Sequence, residues 1–243
     1  MNKGGRPLRA MVLAAGMGER MRPITLTTPK PLIAIGGQTM LDRALNALED
    51  EGVEQVVVNA HHLADMVARH LADRRKPAIR LSVEAERLET GGGVRNALSM
   101  LGQASFFVVN GDILWRDGPR STLGDLAAAW DPSRMDALLL LHPVATALGY
   151  DGPGDFHRQA DGRVTRRDAN GRAPYLFAGL QILHPRLFAG SPDGPFSLNI
   201  LYDRAIAGDR LYAIEHGGHW CHVSTPADIP VAEAFIANGV PST

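Results

Sequence analysis

The sequence predicts an α/β fold: a mostly parallel, Rossmann-like, doubly wound sheet with a small antiparallel β flap. Short apolar runs of strand length alternate with stretches of helical periodicity over the first half of the chain. Such alternation is typical of parallel strands joined by right-handed helical crossovers. Turn-forming residues then become dense between positions 149 and 174, which indicates short antiparallel strands.

The first strand is predicted at residues 10–15, where the apolar run AMVLAA ends at Gly16. Buried parallel strands are apolar on both faces, and a glycine directly after the strand permits a tight turn. The alternation continues with helices at 40–51, 63–72 and 94–101 and strands at 55–59, 79–83, 106–110 and 137–142.

The C-terminal part begins with the predicted flap at 149–174, where GYDGPGDF, ADGRV and ANGRAP indicate turns. Regular elements follow as strands at 177–183 and 211–215 and helices at 198–207 and 226–238. With 243 residues, 45% of them apolar, the chain is long enough for one domain with a substantial core. We therefore expect a single domain over 1–243, with a core at 8–145 and the flap and additional elements at 146–243.

The charge balance argues against several classes of partner. Lys and Arg number 25 against 26 Asp and Glu, so the chain lacks the net positive charge of a nucleic-acid or anionic-membrane binder. No apolar run reaches the roughly 18 residues of a membrane-spanning helix. Cys221 is the single cysteine, and no apolar stretch follows the basic N-terminal residues. We expect a cytoplasmic protein that binds small molecules and has no obligate protein partner.

A glycine-rich, basic segment follows the first predicted strand. Gly16 and Gly18 let the backbone approach a polyanion, and Arg20 and Lys30 can neutralise phosphate oxygens. A dinucleotide-binding GxGxxG motif would need glycine where Met21 stands, and the GxxxxGK[ST] phosphate loop is absent. The segment therefore predicts a triphosphate-binding loop of another type.

The motif LAAGMGERMRP, followed by TPKPL, resembles the signature of the sugar 1-phosphate nucleotidyltransferases. Four further motifs resemble that family in the same order: LETGGGVRNAL its nucleobase loop, VVNGDIL its metal-binding aspartate, FAGLQIL its sugar-binding strand and GHWCHVSTPAD its WxDxGTP segment. The AAGxGxRMRP form, LETGGG and FSLNIL are most similar to bacterial N-acetylmuramic acid 1-phosphate uridylyltransferases of peptidoglycan recycling. The resemblance covers nearly the whole chain.

The resemblance implies attack of a sugar 1-phosphate oxygen on the α-phosphorus of a nucleoside triphosphate, with release of pyrophosphate. A phosphate is already anionic, so catalysis rests on positioning and charge neutralisation, for which Arg20 and Lys30 are the candidates. Residues 89–92 are expected to form a loop whose backbone reads the base. The candidate nucleotide-binding residues are Leu13, Ala14, Ala15, Gly16, Gly18, Asn59, Glu89, Thr90, Gly91 and Gly92.

Asp112 is the candidate metal ligand, because it follows an apolar strand at the sheet edge where ligands bind and because Mg²⁺ prefers carboxylate oxygen. His222 stands where the family has a second aspartate, and imidazole suits Mn²⁺ better than Mg²⁺. Three outcomes are open: His222 ligates the ion, it contacts phosphate while Asp112 and water hold the ion, or activity is impaired. The second is favoured, with Mg²⁺ as the expected cofactor and Mn²⁺ as the alternative.

On the sugar side, the resemblance implies Asn110, Asp155, Gly179 and Asn199 as substrate-binding residues. The adjacent His61 and His62 are interpreted as a surface pair at a helix start, since neighbouring helical side chains diverge. Two other functions stay open: a guanylyltransferase acting on mannose 1-phosphate or, less favoured, on the molybdenum cofactor, and a non-catalytic nucleotide-sugar sensor.

Overall fold

The computed structural model describes residues 5–238. Six α-helices lie in this part of the chain: α1 Met40–Asp50, α2 Ala64–Leu71, α3 Glu89–Leu101, α4 Thr122–Ala129, α5 Asn199–Ala207 and α6 Asp228–Asn238. Its strands are β1 Arg9–Leu13, β2 Ala34–Ile35, β3 Gln38–Thr39, β4 Gln55–Ala60, β5 Ala78–Val83, β6 Phe106–Asn110, β7 Ile113–Arg116, β8 Ala137–Pro143, β9 Phe156–Arg158, β10 Val164–Arg166, β11 Tyr175–Leu183, β12 Leu211–Glu215 and β13 His219–His222.

Four parallel strands in the order β5, β4, β1, β6 form the centre of the main sheet. The strand β11 pairs antiparallel with β6, β8 pairs antiparallel with β11, and β12 pairs parallel with β8. The fold is therefore α/β, as predicted, and its main sheet is mixed, with parallel strands at the centre. All four central strands end at the same edge, so the residues that follow them are brought together.

Helices cover both faces of the sheet. Alternation along β1 sends Val12 into a cluster with α1, α2 and α4, while Met11 joins a cluster with α3 and α5 on the opposite face. Both residues are fully buried. The doubly wound arrangement therefore follows from a strand that is apolar on both sides.

A third apolar cluster lies beside the main sheet and joins the two-stranded β7–β13 sheet to α6. Its members are Met21, Ile33, Ile35, Met40, Leu114, Cys221, Val223, Ala232 and Phe235. In this two-stranded antiparallel sheet, His222 pairs with Ile113, the residue after Asp112. The cluster thus fixes the segment at 19–35 and the end of β13 against the edge of the sheet.

The structure refines three expectations. The flap strands β9 and β10 pair with each other, and β9 also pairs with β11. The flap is therefore an extension at one edge of the main sheet and not a separate sheet. The two-stranded β7–β13 sheet and the helix α4 are absent from the predicted elements. The expected loop at 89–92 is wrong, because α3 begins at Glu89.

Within residues 5–238, none of the helices combines the length and the apolar character needed to cross a membrane.

Candidate active site

A cavity of about 540 Å³ opens at the carboxyl ends of the central parallel strands. The candidate residues that line it are Leu13, Ala14, Ala15, Gly16, Gly18, Arg20, Lys30, Asn59, Glu89, Thr90, Asn110 and Asp112. Gly91, Gly92, Asp155, Gly179, Asn199 and His222 are not among the lining residues. The sequence candidates thus separate into a group that shares one cavity and a group around it.

The segment after β1 folds back on itself at Gly18. This glycine has φ of 61°, and a Cβ placed on it would lie 2.8 Å from Thr25 Cγ2, so other residues are disfavoured on both counts. Thr25 Oγ1 donates to the Gly18 carbonyl at 2.8 Å, and the His62 ring donates to the Thr25 carbonyl at 2.8 Å. These contacts hold the segment in place, while the exposed Arg20 faces the cavity.

Lys30 and Asp112 form an ion pair at the cavity wall, with 2.7 Å between Nζ and Oδ2. The lysine side chain is only 9% exposed, whereas that of Asp112 is 40% exposed. Gly111 brings Asp112 close to the end of β1: its amide donates to the Leu13 carbonyl at 2.9 Å, and a Cβ there would lie 2.8 Å from that oxygen. The pair therefore places one desolvated cation and one accessible carboxylate side by side.

A buried hydrogen-bond chain joins three strand ends on the other side of the cavity. Asn59 Oδ1 accepts from the Ala14 amide at 2.8 Å, and Asn59 Nδ2 donates to Glu84 Oε1 at 2.7 Å. The second oxygen of Glu84 accepts from the Leu88 amide at 3.1 Å. Since both side chains are almost fully buried, these hydrogen bonds fix the start of the segment after β1 relative to α3.

The glycines of α3 pack against a neighbouring segment of the chain. The amides of Gly91 and Gly92 both donate to the Phe196 carbonyl, at 2.8 and 3.1 Å. A Cβ on Gly91 would overlap the Phe196 ring. These two amides are engaged within the protein, so the expectation that they read a base from an open loop is not supported by the geometry. Glu89 and Thr90 do face the cavity.

His222 lies beside the ion pair without lining the cavity. Burial lowers the pKa of His222, the positive charges of Lys30 and Arg20 lower it further, and Asp112 opposes them. Its ring lies 5.7 Å from the Trp220 ring, centroid to centroid. With its pKa lowered, His222 is neutral near pH 7 and lies close to the charges of the site.

Among the described residues, no three His, Cys, Asp or Glu side chains are grouped as a metal site.

The four candidate sugar-binding residues differ in how close they lie to the cavity. Gly179 has φ of 82° and adjoins Asn110, since a Cβ on it would lie 3.1 Å from Asn110 Nδ2. Asp155 accepts a hydrogen bond from the Phe177 amide at 2.9 Å, and Asn199 Oδ1 accepts one from Arg166 at 3.0 Å. In this structure Asp155 and Asn199 thus have structural partners, and only Asn110 reaches the cavity wall.

The two adjacent histidines lie directly before α2, near the predicted helix start, but they are half-buried rather than fully on the surface. The His61 ring donates to the Glu84 carbonyl at 2.9 Å, as the His62 ring does to Thr25. Each ring therefore connects the loop before α2 to a neighbouring segment of the site.

Sequence reasoning did not identify six further cavity residues: Met17, Glu19, Pro31, Glu84, Arg87 and Ser224. Glu84 had a detectable signal, because a carboxylate directly after a predicted strand lies at the same sheet edge as Asp112. Ser224 is brought to the cavity by the pairing of β13 with β7, which the sequence pattern did not reveal.

Comparisons with known proteins show the family to which the chain belongs. Residues 9–165 match the family described as "Nucleotidyl transferase". An N-acetylmuramate alpha-1-phosphate uridylyltransferase of Caulobacter vibrioides is 42% identical over 95% of this chain and 98% of its own length. A protein of the same description from Neisseria meningitidis serogroup B is 33% identical over 94% and 98%. A mannose-1-phosphate guanyltransferase of Kluyveromyces lactis is 27% identical over 91% of this chain and 62% of its own length.

Solved structures share the fold at lower sequence identity. The inositol-1-phosphate CTP transferase from T. maritima superposes with a TM-score of 0.77, at 18% identity, over 98% of this chain and 100% of that one. HddC from Yersinia pseudotuberculosis gives a TM-score of 0.74, at 21% identity, over 94% and 99%. These similarities confirm the α/β fold class.

Proposed function

Because the chain belongs to the nucleotidyl transferase family, whose members here are sugar 1-phosphate nucleotidyltransferases, we propose that it transfers a uridylyl group from UTP to N-acetylmuramate 1-phosphate. The products are the UDP-sugar and pyrophosphate. The substrate assignment is supported by the two relatives of that description, which match over nearly their whole length. A cytoplasmic location and a place in peptidoglycan recycling are part of this proposal.

The observation that carries the proposal is the pairing of Lys30 with Asp112 at the wall of a cavity that also contains Gly16, Gly18 and Arg20. A desolvated ammonium group near a glycine-rich backbone suits an oligophosphate, because charges interact more strongly away from water. In this proposal the triphosphate lies along the Gly16 to Lys30 segment. Nothing in this chemistry requires a covalent nucleophile, since the acceptor phosphate is itself anionic.

Arg20 and Lys30 act by neutralising charge that develops during the transfer. Arg20 is exposed and offers a forked set of donors, so it suits the departing pyrophosphate. Lys30 is a buried point charge and suits the oxygens of the α-phosphate. Together they favour the transition state over the bound substrates, because negative charge moves toward the leaving group as the bond breaks.

The residues present fit a divalent ion that is shared with the substrate. Asp112 presents an accessible carboxylate, and hard oxygen ligands of this kind suit Mg²⁺ or Mn²⁺. With no group of three candidate ligands among residues 5–238, the remaining ligands would be water and phosphate oxygens, which is usual for Mg²⁺. When bound, the ion would supply positive charge to the phosphates. Members of this family generally use a divalent metal.

His222 is proposed to contact phosphate rather than the ion. It is neutral near pH 7, as its lowered pKa indicates, and a neutral imidazole can donate one hydrogen bond to an anion. The Asn59–Glu84 chain positions the backbone at Ala14 for the nucleotide, and Glu89 and Thr90 line the cavity beside it. On the sugar side, Asn110 with the adjoining Gly179 is the contact that the cavity geometry favours. Asp155 and Asn199 remain candidates around it.

The test is a panel of four nucleoside triphosphates against several sugar 1-phosphates, with pyrophosphate release as the readout. UTP with N-acetylmuramate 1-phosphate is expected to give the highest kcat/KM. The second candidate, favoured by the guanyltransferase relatives, is GTP with mannose 1-phosphate. Nucleotide binding without pyrophosphate release from any pair would indicate a sensor and contradict the proposal.

A further inference from the structure

Ser224 lines the cavity and carries a hydroxyl group that the protein itself leaves without a partner. The residue is 7% exposed, and its Oγ is buried and makes no hydrogen bond among the described residues. Buried hydroxyls in proteins nearly always have a partner, since leaving one unpaired costs about 1 to 3 kcal/mol. The cavity is the side from which a partner can come.

The backbone at this position is held firmly. The amides of Ser224 and Thr225 both donate to Asp228 Oδ2, each at 2.7 Å, at the start of α6. The preceding residue, Val223, is fully buried in the third apolar cluster. Because Ser224 is fixed on both sides, the residue is held at the wall of the cavity.

The charges of the cavity identify the partner's chemistry. Arg20 and Lys30 line the same cavity as Ser224. An anion with several acceptor oxygens is the ligand that such a wall attracts. We propose that Ser224 Oγ donates a hydrogen bond to a phosphate oxygen of a bound substrate.

This inference rests on the proposed function, which supplies two sources of that oxygen: the triphosphate and the sugar 1-phosphate. Where the WxDxGTP motif of the family has glycine, this chain has serine, so the contact is a property of its own side chain. It makes Ser224 a substrate-binding residue beside Arg20 and Lys30.

The test compares Ser224→Ala with wild type and with Ser191→Ala. Ser191 is a matched control because its Oγ is also buried without a partner, but it does not line the cavity. Steady-state kinetics are measured twice, varying the triphosphate and then the sugar 1-phosphate, with the pair that the substrate panel identifies. Thermal unfolding is recorded with and without each substrate.

Ser224→Ala is expected to lower kcat/KM about tenfold for the substrate that supplies the oxygen, as the loss of a hydrogen bond to a charged group does. The unfolding midpoint without substrate should not fall, because the substitution removes a hydroxyl that is unpaired in the free protein. The stabilisation by that substrate should shrink. Ser191→Ala should match wild type. A change below threefold for both substrates would overturn the inference, whereas a wild type inactive with the whole panel would overturn the function instead.

Discussion

Lys30 and Asp112 lie 82 positions apart in sequence, yet their charged groups meet at 2.7 Å. The burial of the pair is uneven, because the lysine is almost enclosed and the aspartate is not. If a divalent ion engages the carboxylate, the ammonium group loses its partner in a poorly hydrated place. A phosphate oxygen is then the natural replacement, which links metal binding and triphosphate binding at this pair.

Replacing Lys30 by methionine should lower kcat by about 100-fold or more, the usual effect of removing a group that stabilises developing charge. The apolar stem is retained, and the accessible Asp112 can be hydrated, so the unfolding midpoint should change little. Pyrophosphate release and thermal unfolding measure the two effects. The exposed Lys76→Met is the matched control and should behave as wild type. A kcat for Lys30→Met near the wild-type value would exclude the assigned role.

Arg20→Ala should also reduce kcat by orders of magnitude, while unfolding is unaffected because Arg20 is exposed. Pyrophosphate release at saturating substrate gives kcat, and a denaturant titration gives the free energy of unfolding. Arg22→Ala, two positions away and also exposed but outside the cavity lining, is the control. Equal effects of the two substitutions would contradict a specific role for Arg20.

The Asn59–Glu84 chain allows a reversal experiment. Glu84→Gln puts an amide donor against Asn59 Nδ2 or the Leu88 amide, so it should cost about 1 to 3 kcal/mol of unfolding free energy. Asn59→Asp alone brings two carboxylates together and should also destabilise. In the double variant, the carboxylate introduced at position 59 accepts from both the Ala14 amide and the amide introduced at position 84. Most of the loss should therefore be recovered.

Urea unfolding of the two single variants and the double variant measures this coupling. Losses that simply add in the double variant would show that the hydrogen-bond directions assigned to the chain are wrong.

Much of the fold follows from local patterns in the sequence. The apolar runs of β1, β4 and β6 are buried on both faces, so their composition alone indicated parallel strands. The glycines and cations at 16–30 were identified from one short stretch, and the structure places Gly16, Gly18, Arg20 and Lys30 at one cavity.

The features that were not predictable depend on contacts distant in sequence. Three glycines at 91–93 argue against a helix by propensity, yet α3 includes them because side chains there would overlap Phe196, Gly194 and Glu84. Ser224 follows β13, and the pairing of β13 with the distant strand β7 brings it to the cavity. Sequence periodicity carries no information about the close packing of the α3 glycines or about the position of Ser224.

The close packing of α3 predicts that two glycine substitutions differ in their effect on the free energy of unfolding. Gly91→Ala should destabilise by about 2 to 3 kcal/mol, because the new Cβ overlaps the Phe196 ring and lies 2.8 Å from its carbonyl oxygen. A Cβ added at Gly16 has no heavy atom within 4 Å, so Gly16→Ala should leave the free energy of unfolding unchanged. Denaturant titration compares the two, and equal stability would contradict the packing role of Gly91.

His222→Asp tests where the imidazole acts. If His222 contacts phosphate, the substitution places a negative charge beside the substrate and beside Asp112, which should create a second oxygen ligand and shift the ratio of Mg²⁺ to Mn²⁺ activity. His222→Gln, which keeps a neutral donor, should leave that ratio unchanged. Activity is measured with each ion over a concentration series. An identical ion profile for wild type and His222→Asp would remove His222 from the site.

The buried pair His142 and His216 predicts a pH dependence of stability away from the active site. Their Nδ1 atoms lie 3.2 Å apart. Burial, and then the neighbouring His142, lower the pKa of His216 to about 4; burial also lowers the pKa of His142. Both rings are therefore neutral in the folded protein at pH 7.

A histidine whose folded pKa is depressed contributes stability above its unfolded pKa, and that contribution is lost as the pH falls toward the folded pKa. For His216 the loss should run from about pH 6.5 to 4 and reach about 3 kcal/mol. Urea unfolding across this range should show a shallower decline for His216→Gln than for wild type, while the exposed His157→Gln follows wild type. Parallel declines in all three proteins would mean that protonation of His216 does not limit stability in acid.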